Sequence, residues 1–215
     1  MNNFGEWQQC ETSAFWSDVA ALDHVVQIYD NDTMLLNTLA DFASNGFHAG
    51  DSVVIIATGK HLTALNTRLK VRGLDLSPLI KADQYIMLDA DEVLADFMVN
   101  GMPSEDKFVQ AMTPVMERAR KNGRQVRAFG EMVALLWQLG NVKATMELEE
   151  LWNKFCSTRR FSLFCAYPKK GFSHDASESV MNICQCHSKV IEAIEKFPSH
   201  IYFKETQHSG AVKFL

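Results

Sequence analysis

The sequence predicts an α/β domain, with a mostly parallel central sheet flanked by helices. Short apolar runs alternate along the chain with longer segments of helical periodicity, the pattern of parallel strands joined by crossover helices. Several of those runs are apolar nearly throughout, as strands covered on both faces must be. The length, 215 residues with 47% hydrophobic residues, suffices for one full core.

In order, the expected strands are His24–Tyr29 (HVVQIY), Ser52–Ala57 (SVVIIA), Gln84–Leu88 (QYIML), Gln125–Phe129 (QVRAF) and Phe161–Tyr167 (FSLFCAY). Between the first two, Leu35, Leu39, Phe42 and Ala43 recur at helical spacing, with Gly46 and Gly50 as the stop. After the second strand Leu62, Leu65 and Leu69 repeat that pattern up to Gly73. The third crossover is longer: a helix over 91–99, a break at Gly101-Met102-Pro103, and a second helix from Ser104 to about Asn122. Pro114 lies inside that second helix and is expected to kink or split it. Residues 142–157 read as an amphipathic helix with Leu148, Leu151, Trp152 and Phe155 on its apolar stripe; Glu147, Glu149, Glu150 and Lys154 are assigned mostly elsewhere. A last helix is expected over 175–195.

Residues 1–20 read as an N-terminal extension, with Trp7, Phe15 and Trp16 suggesting a short docked helix, and 21–196 as the main domain. Residues 197–215 read as a tail or an extra edge element.

Composition narrows the function. The net charge is 21 − 26 = −5 and no Lys/Arg run exceeds two residues, so the clustered cations that a phosphate backbone needs are missing. No apolar run approaches the roughly 20 residues of a membrane span, and the N-terminus lacks a signal-peptide pattern. Five cysteines, odd in number and mostly in apolar or helical surroundings, fit reduced thiols rather than a disulfide framework. A cytoplasmic protein that touches neither nucleic acid nor membrane directly is the expectation.

A nucleotide site of the familiar kinds is not encoded: neither GxxxxGK[ST] nor GxGxxG after a strand occurs. The turn after the first strand, Tyr29-Asp30-Asn31-Asp32-Thr33, carries two carboxylates where a phosphate cradle would want glycines and a lysine. Asp30 or Asp32 can cap the following helix, or take part in a ligand or metal site. Cys184-Gln185-Cys186-His187 gathers zinc-type ligands, but on a helix residues 184 and 186 point about 200° apart. Only Cys184 and His187 share a face, so that pair is read as packed on the sheet. Cys165, near the end of the last predicted strand, is read as a core thiol with no adjacent base. No metal, cofactor or catalytic residue is assigned.

The stretch Arg127–Trp137 (RAFGEMVALLW) differs in kind. A buried strand delivers an arginine, turns at Gly130 and places Glu131 at the carboxyl edge of the sheet. Arg127 must find an anionic partner, for which Glu131 and Asp89 are candidates. A structural ion pair and a ligand site are both open.

At these residues the chain resembles a known family, the MEDS domain, a methanogen/methylotroph sensory domain of the dichloromethane-responsive regulator type. The matching segments are HVVQIYDND at 24–32, GDSVVIIAT at 50–58, LDADEVLADFM at 88–98 and VRAFGEMVALLWQLGN at 126–141. LEELWN at 148–153, FSLFCAYP at 161–168 and ICQCHS at 183–188 extend the match over roughly residues 20–195. The resemblance implies a RecA/KaiC-like fold without a Walker A loop. It also implies a sensor of small organic molecules, in a family often fused to histidine kinases, anti-sigma-type kinases or DNA-binding domains. With no such segment in this chain, output is expected through a partner histidine kinase or regulator, or through a homodimer.

Family-like positions near the expected pocket are His24, Tyr29, Asp30, Asp89, Arg127, Glu131, Trp137, Glu147, Trp152, Cys165 and Tyr167. His24 lies at the entering end of its strand, so its match reads as structural. The expected ligand-binding set is Tyr29, Asp30, Asp89, Arg127, Glu131, Trp137, Cys165 and Tyr167, facing a small, largely apolar organic molecule at the carboxyl edge. Two rivals stand beside this reading. One is a divergent nucleotide hydrolase with Glu131 as base and a metal at Asp30 or Asp89; the other is a purely structural interaction module.

Overall fold

The computed structural model describes residues 7–11, 16, 22–171, 183–192 and 200–204. In chain order the strands are Trp7–Glu11 (β1), His24–Tyr29 (β2), Ser52–Ala57 (β3), Tyr85–Asp89 (β4), Met98–Val99 (β5), Met102–Pro103 (β6), Val126–Gly130 (β7), Ser162–Pro168 (β8), Lys189–Glu192 (β9) and His200–Lys204 (β10). The helices are Asp32–His48 (α1), Gly59–Val71 (α2), Leu76–Lys81 (α3), Ala90–Phe97 (α4), Glu105–Ala119 (α5), Met132–Gln138 (α6) and Val142–Arg159 (α7). The main sheet runs β1-β10-β9-β2-β8-β7-β3-β4. The six strands from β9 to β4 are parallel, and β10 and β1 add to them antiparallel. β5 and β6 form a separate two-residue hairpin through Asn100 and Gly101, both with positive φ, as such tight turns require.

The two-residue period of the strands divides the interior into two layers. Val54 and Ile56 of β3, Val126 and Ala128 of β7, and Leu163, Cys165 and Tyr167 of β8 face one layer, which α4 to α7 cover. Val53 and Ile55 of β3, Phe129 of β7, and Phe164 and Ala166 of β8 face the other, against α1 and α2. On β2, Val26 joins the α4–α7 layer, while Val25 and Tyr29 join the α1 layer. This parity decides which side chains can meet.

The connection from β2 to β3 passes over two strand positions, which β8 and β7 fill later. The carboxyl ends of β2, β7 and β3 therefore converge where the winding reverses, the usual place for a crevice in open α/β sheets.

The structure refines the expected elements in four places. Lys189–Glu192, expected inside a helix, is a strand parallel to β2. Its KVIE sequence buries Val190 on one face and Ile191 on the other, which a strand between two covered layers satisfies. Trp7–Glu11, expected to be helical, pairs with β10 as the edge strand. Within the predicted C-terminal tail or edge element, residues 200–204 form the sheet strand β10. Pro114 sits inside a single α5 without splitting it. Of the rest of the predicted 175–195 helix, residues 183–186 form a helical turn, 187 and 188 are not helical, and the others lie outside the described residues.

Candidate functional site

At the carboxyl edge, Glu131 follows β7 directly and is 2% exposed. One of its oxygens accepts from Thr58 N (2.9 Å) and lies 3.3 Å from Thr58 Oγ1. The other is 2.8 Å from His61 Nδ1. His61, in the first turn of α2, turns its Nε2 toward Asp32 Oδ2 at 3.4 Å, and Lys60 Nζ pairs with the same oxygen at 2.6 Å. One network thus ties the loops after β7, β3 and β2. The hydrogen bond to Glu131 raises the His61 pKa against the opposing effect of burial, and the charges of Glu131 and Asp32 add to it. Tyr29, 4% exposed, is raised above the usual phenol range by burial and by the nearby Glu131 and Asp32 carboxylates.

The expected site residues do not form one constellation. Tyr29 and Glu131 do converge. Asp89 caps α4, accepting from Asp91 N and Glu92 N, with its carboxylate also beside the start of α2 at Gly59. Asp30 pairs with Lys169 at 3.1 Å beyond β8. The cap of α1 is Asn31, which accepts from Met34 N, rather than Asp30 or Asp32. Arg127 lies at the other end of the sheet: its partner is Asp51 (2.6 Å), with Trp16 O also at 2.6 Å. Neither Glu131 nor Asp89 is its counterion, because Arg127 is the second residue of β7 and both carboxylates stand at the far ends of their strands. Gly130 carries no positive φ, and a Cβ there would meet the Trp152 ring in ordinary contact at 3.7 Å. Trp137, Cys165 and Tyr167 face the α4–α7 layer, with the Trp137 and Tyr167 rings edge-on at 6.0 Å.

Those last residues border a second, buried cluster. His24 Nε2 lies 3.4 Å from Cys165 Sγ and 3.4 Å from Glu149 Oε2, and Cys165 Sγ is 3.8 Å from that carboxylate. Tyr167 donates its hydroxyl to Glu149 Oε1, and His187 Nε2 is 3.6 Å from the same oxygen. The four groups of His24, Glu149, Cys165 and His187 offer ligand atoms all within 4.8 Å of one another, a set that can hold a metal ion. Burial pushes Glu149 up to about 7 and His24 down to about 4, and holds the Cys165 thiol well above its ordinary value. Burial, with His24 adding to it, holds His187 well below its own.

Sequence reasoning missed Thr58, His61, Glu149 and His187 as members of these clusters. Glu149 had a signal: with Thr145, Leu148, Trp152 and Cys156 it completes an i, i+3, i+4 stripe, and a carboxylate on an apolar stripe needs a partner. It is fully buried, whereas Glu147 and Glu150 are exposed. His61 carried no comparable signal, since its partner lies 70 residues away on another strand end. Cys156, Cys165 and Cys186 are free thiols, and no described helix is long and apolar enough to cross a membrane.

The chain is similar in fold to a KaiC-like protein of Pyrococcus horikoshii OT3, with a TM-score of 0.56 at 16% identity, covering 88% of this chain and 83% of that one. A second structural-study protein of the same organism gives a TM-score of 0.58 at 14% identity, covering 86% and 89%. The sheet thus belongs with RecA-type α/β folds. No curated protein gives a match. The family model described as MEDS, the methanogen/methylotroph DcmR sensory domain, matches residues 23–188, from the start of β2 to the turn before β9. The chain belongs to the MEDS family of sensory domains.

Proposed function

We propose that this domain is a non-enzymatic cytoplasmic sensor: a small, largely apolar organic molecule with one hydrogen-bonding group docks at the carboxyl edge, and a partner kinase or regulator, or a second copy, reads the change. The observation that carries this reading is the Glu131 carboxylate, which joins Thr58 and His61 and, through His61, reaches Asp32. Three strand-end loops depend on one buried acceptor, so a ligand that competes for it shifts all three together. Tyr29 supplies an aromatic wall beside it. Membership of a sensory family supports the same reading.

Thermal-shift screening against short-chain alcohols, amines, carboxylic acids and halogenated one-carbon compounds tests it. At least one class is expected to raise Tm, and Glu131→Gln and His61→Asn are each expected to abolish that rise. No shift from any class, or a shift that persists in both variants, overturns the proposal.

A further inference from the structure

We propose that His24, Glu149, Cys165 and His187 form a binding site for one divalent cation of the zinc class. The site is separate from the carboxyl-edge network and does not depend on it. Four distant segments meet there: the start of β2, the middle of α7, the middle of β8 and the turn before β9. The three β2 and β8 residues that border it, His24, Cys165 and Tyr167, share the parity that points at the α4–α7 layer.

The spacing approaches that of a tetrahedral ion: the four ligand atoms all lie within 4.8 Å of one another, and the individual pairs, which use one or the other Glu149 oxygen, already stand at tetrahedral separations. Bonds of about 2.0–2.3 Å to nitrogen, oxygen and sulfur place the ligand atoms of a tetrahedron roughly 3.3–3.8 Å apart. The observed separations are 3.4 Å for His24 Nε2 to Cys165 Sγ, 3.4 Å for His24 Nε2 to Glu149 Oε2, 3.8 Å for the thiol to that carboxylate, and 3.6 Å for His187 Nε2 to Glu149 Oε1.

Hydrogen bonds outside the cluster fix both imidazoles in the ligating tautomer. Asn153 donates its Nδ2 to the carbonyl of Cys186 at 3.1 Å, which sets the orientation of its amide. Its Oδ1 therefore faces His24 Nδ1, 2.7 Å away, and that nitrogen must carry the proton. His187 Nδ1 likewise donates to the carbonyl of Ile183 at 2.7 Å. Each Nε2 is left with a lone pair directed into the cluster. That of His187 is fully buried and has no hydrogen-bond partner. Such a second shell is how metal-ligating histidines are held.

Charge closes the argument. A dication bound by a thiolate, a carboxylate and two neutral imidazoles is net neutral, which suits a site with no exposed member. Binding releases the thiol proton and any proton on Glu149. An open groove along α7 has Asn153 and the half-buried Cys186 in its wall, and Asn153 is hydrogen-bonded to His24 of the cluster.

The test uses the full chain, stripped with chelator and titrated with cobalt(II) and with zinc(II). One equivalent of either metal is expected to bind and raise Tm. The cobalt form is expected to show the intense visible bands of tetrahedral cobalt and a thiolate-to-metal charge-transfer band. The double variant Cys184→Ser/Cys186→Ser is expected to keep that band and Cys165→Ser to lose it. If Cys165→Ser does not fold, the band in the double variant, together with its loss or shift in His187→Asn, assigns the site. Failure of the wild type to bind either metal, an octahedral cobalt spectrum, or loss of the band in the double variant overturns the proposal.

Discussion

Arg127 and Asp51 form a 2.6 Å ion pair at the amino end of the sheet, although Glu131 stands only four residues further along the same segment. Arg127 is 4% exposed and its guanidinium also holds the Trp16 carbonyl. Removing one member of a largely buried pair leaves the other charged and poorly solvated, at a cost of up to about 3–5 kcal/mol. Arg127→Ala is therefore expected to lower unfolding stability by that amount in urea titrations. The carboxyl edge lies about 13 Å away along the strand, so ligand-induced Tm shifts in this variant should match those of the wild type. A stable variant, or one that has lost its ligand response, contradicts this placement.

That pair also marks where sequence reading stopped. The strands were legible because burial on both faces leaves an unbroken apolar run, and β2 and β3 fall where their sequences put them. Arg127 was legible as a buried charge requiring an anion. Which anion was not, because Asp51 reaches it through the β3–β7 pairing, in which Val53 opposes Arg127. Likewise Cys165, Tyr167, His24 and His187 were each visible alone. Their meeting depends on strand parity and on Glu149, which the acidic run Glu147–Glu150 disguised as part of a solvated face. KVIE at 189–192 is too short for its period to separate strand from helix, and the neighbouring β2 decides it.

The His61–Glu131 contact gives a pH dependence of definite sign. Glu131 raises the folded-state pKa of His61 above its ordinary 6.5. The stabilisation is therefore fully present below about pH 6.5 and is lost as the pH rises through the folded-state value. The Tm difference between the wild type and His61→Gln should be largest near about pH 5.5 and shrink toward about pH 8.5. In a Glu131→Gln background the same difference should lose most of this pH dependence, keeping only what Asp32 and burial contribute. A gap that widens with pH would mean that the partner of His61 has been misidentified.

Gly46 sits inside α1, where alanine normally favours a helix by up to about 1 kcal/mol. Here a Cβ would lie 2.8 Å from Val53 Cγ2 and 3.1 Å from Arg127 Cδ. Overpacking of this kind costs about 1–3 kcal/mol, so Gly46→Ala should destabilise despite its helix propensity. The cause is separable by a double-mutant cycle with Val53→Ala. If the clash is with that side chain, Val53→Ala costs less in the Gly46→Ala background than alone; additive effects would place the strain elsewhere.

Phe108 joins three helices on the face that carries the buried His24–Glu149 cluster. Its ring meets Phe97 of α4 at 5.3 Å and 81°, Trp152 of α7 at 4.9 Å and 88°, and Phe155 of α7 at 5.4 Å and 79°. All three are edge-on geometries, which add to the burial of a side chain that is 0% exposed. Phe108→Ala opens a cavity between α5 and α7 and should cost about 3–5 kcal/mol, read from urea unfolding. Phe108→Leu keeps most of the volume and should cost markedly less. Because Glu149 lies one turn before Trp152 on α7, loosening that helix should also weaken cobalt binding more in Phe108→Ala than in Phe108→Leu. Equal stability losses in the two variants would show that volume is not what Phe108 supplies.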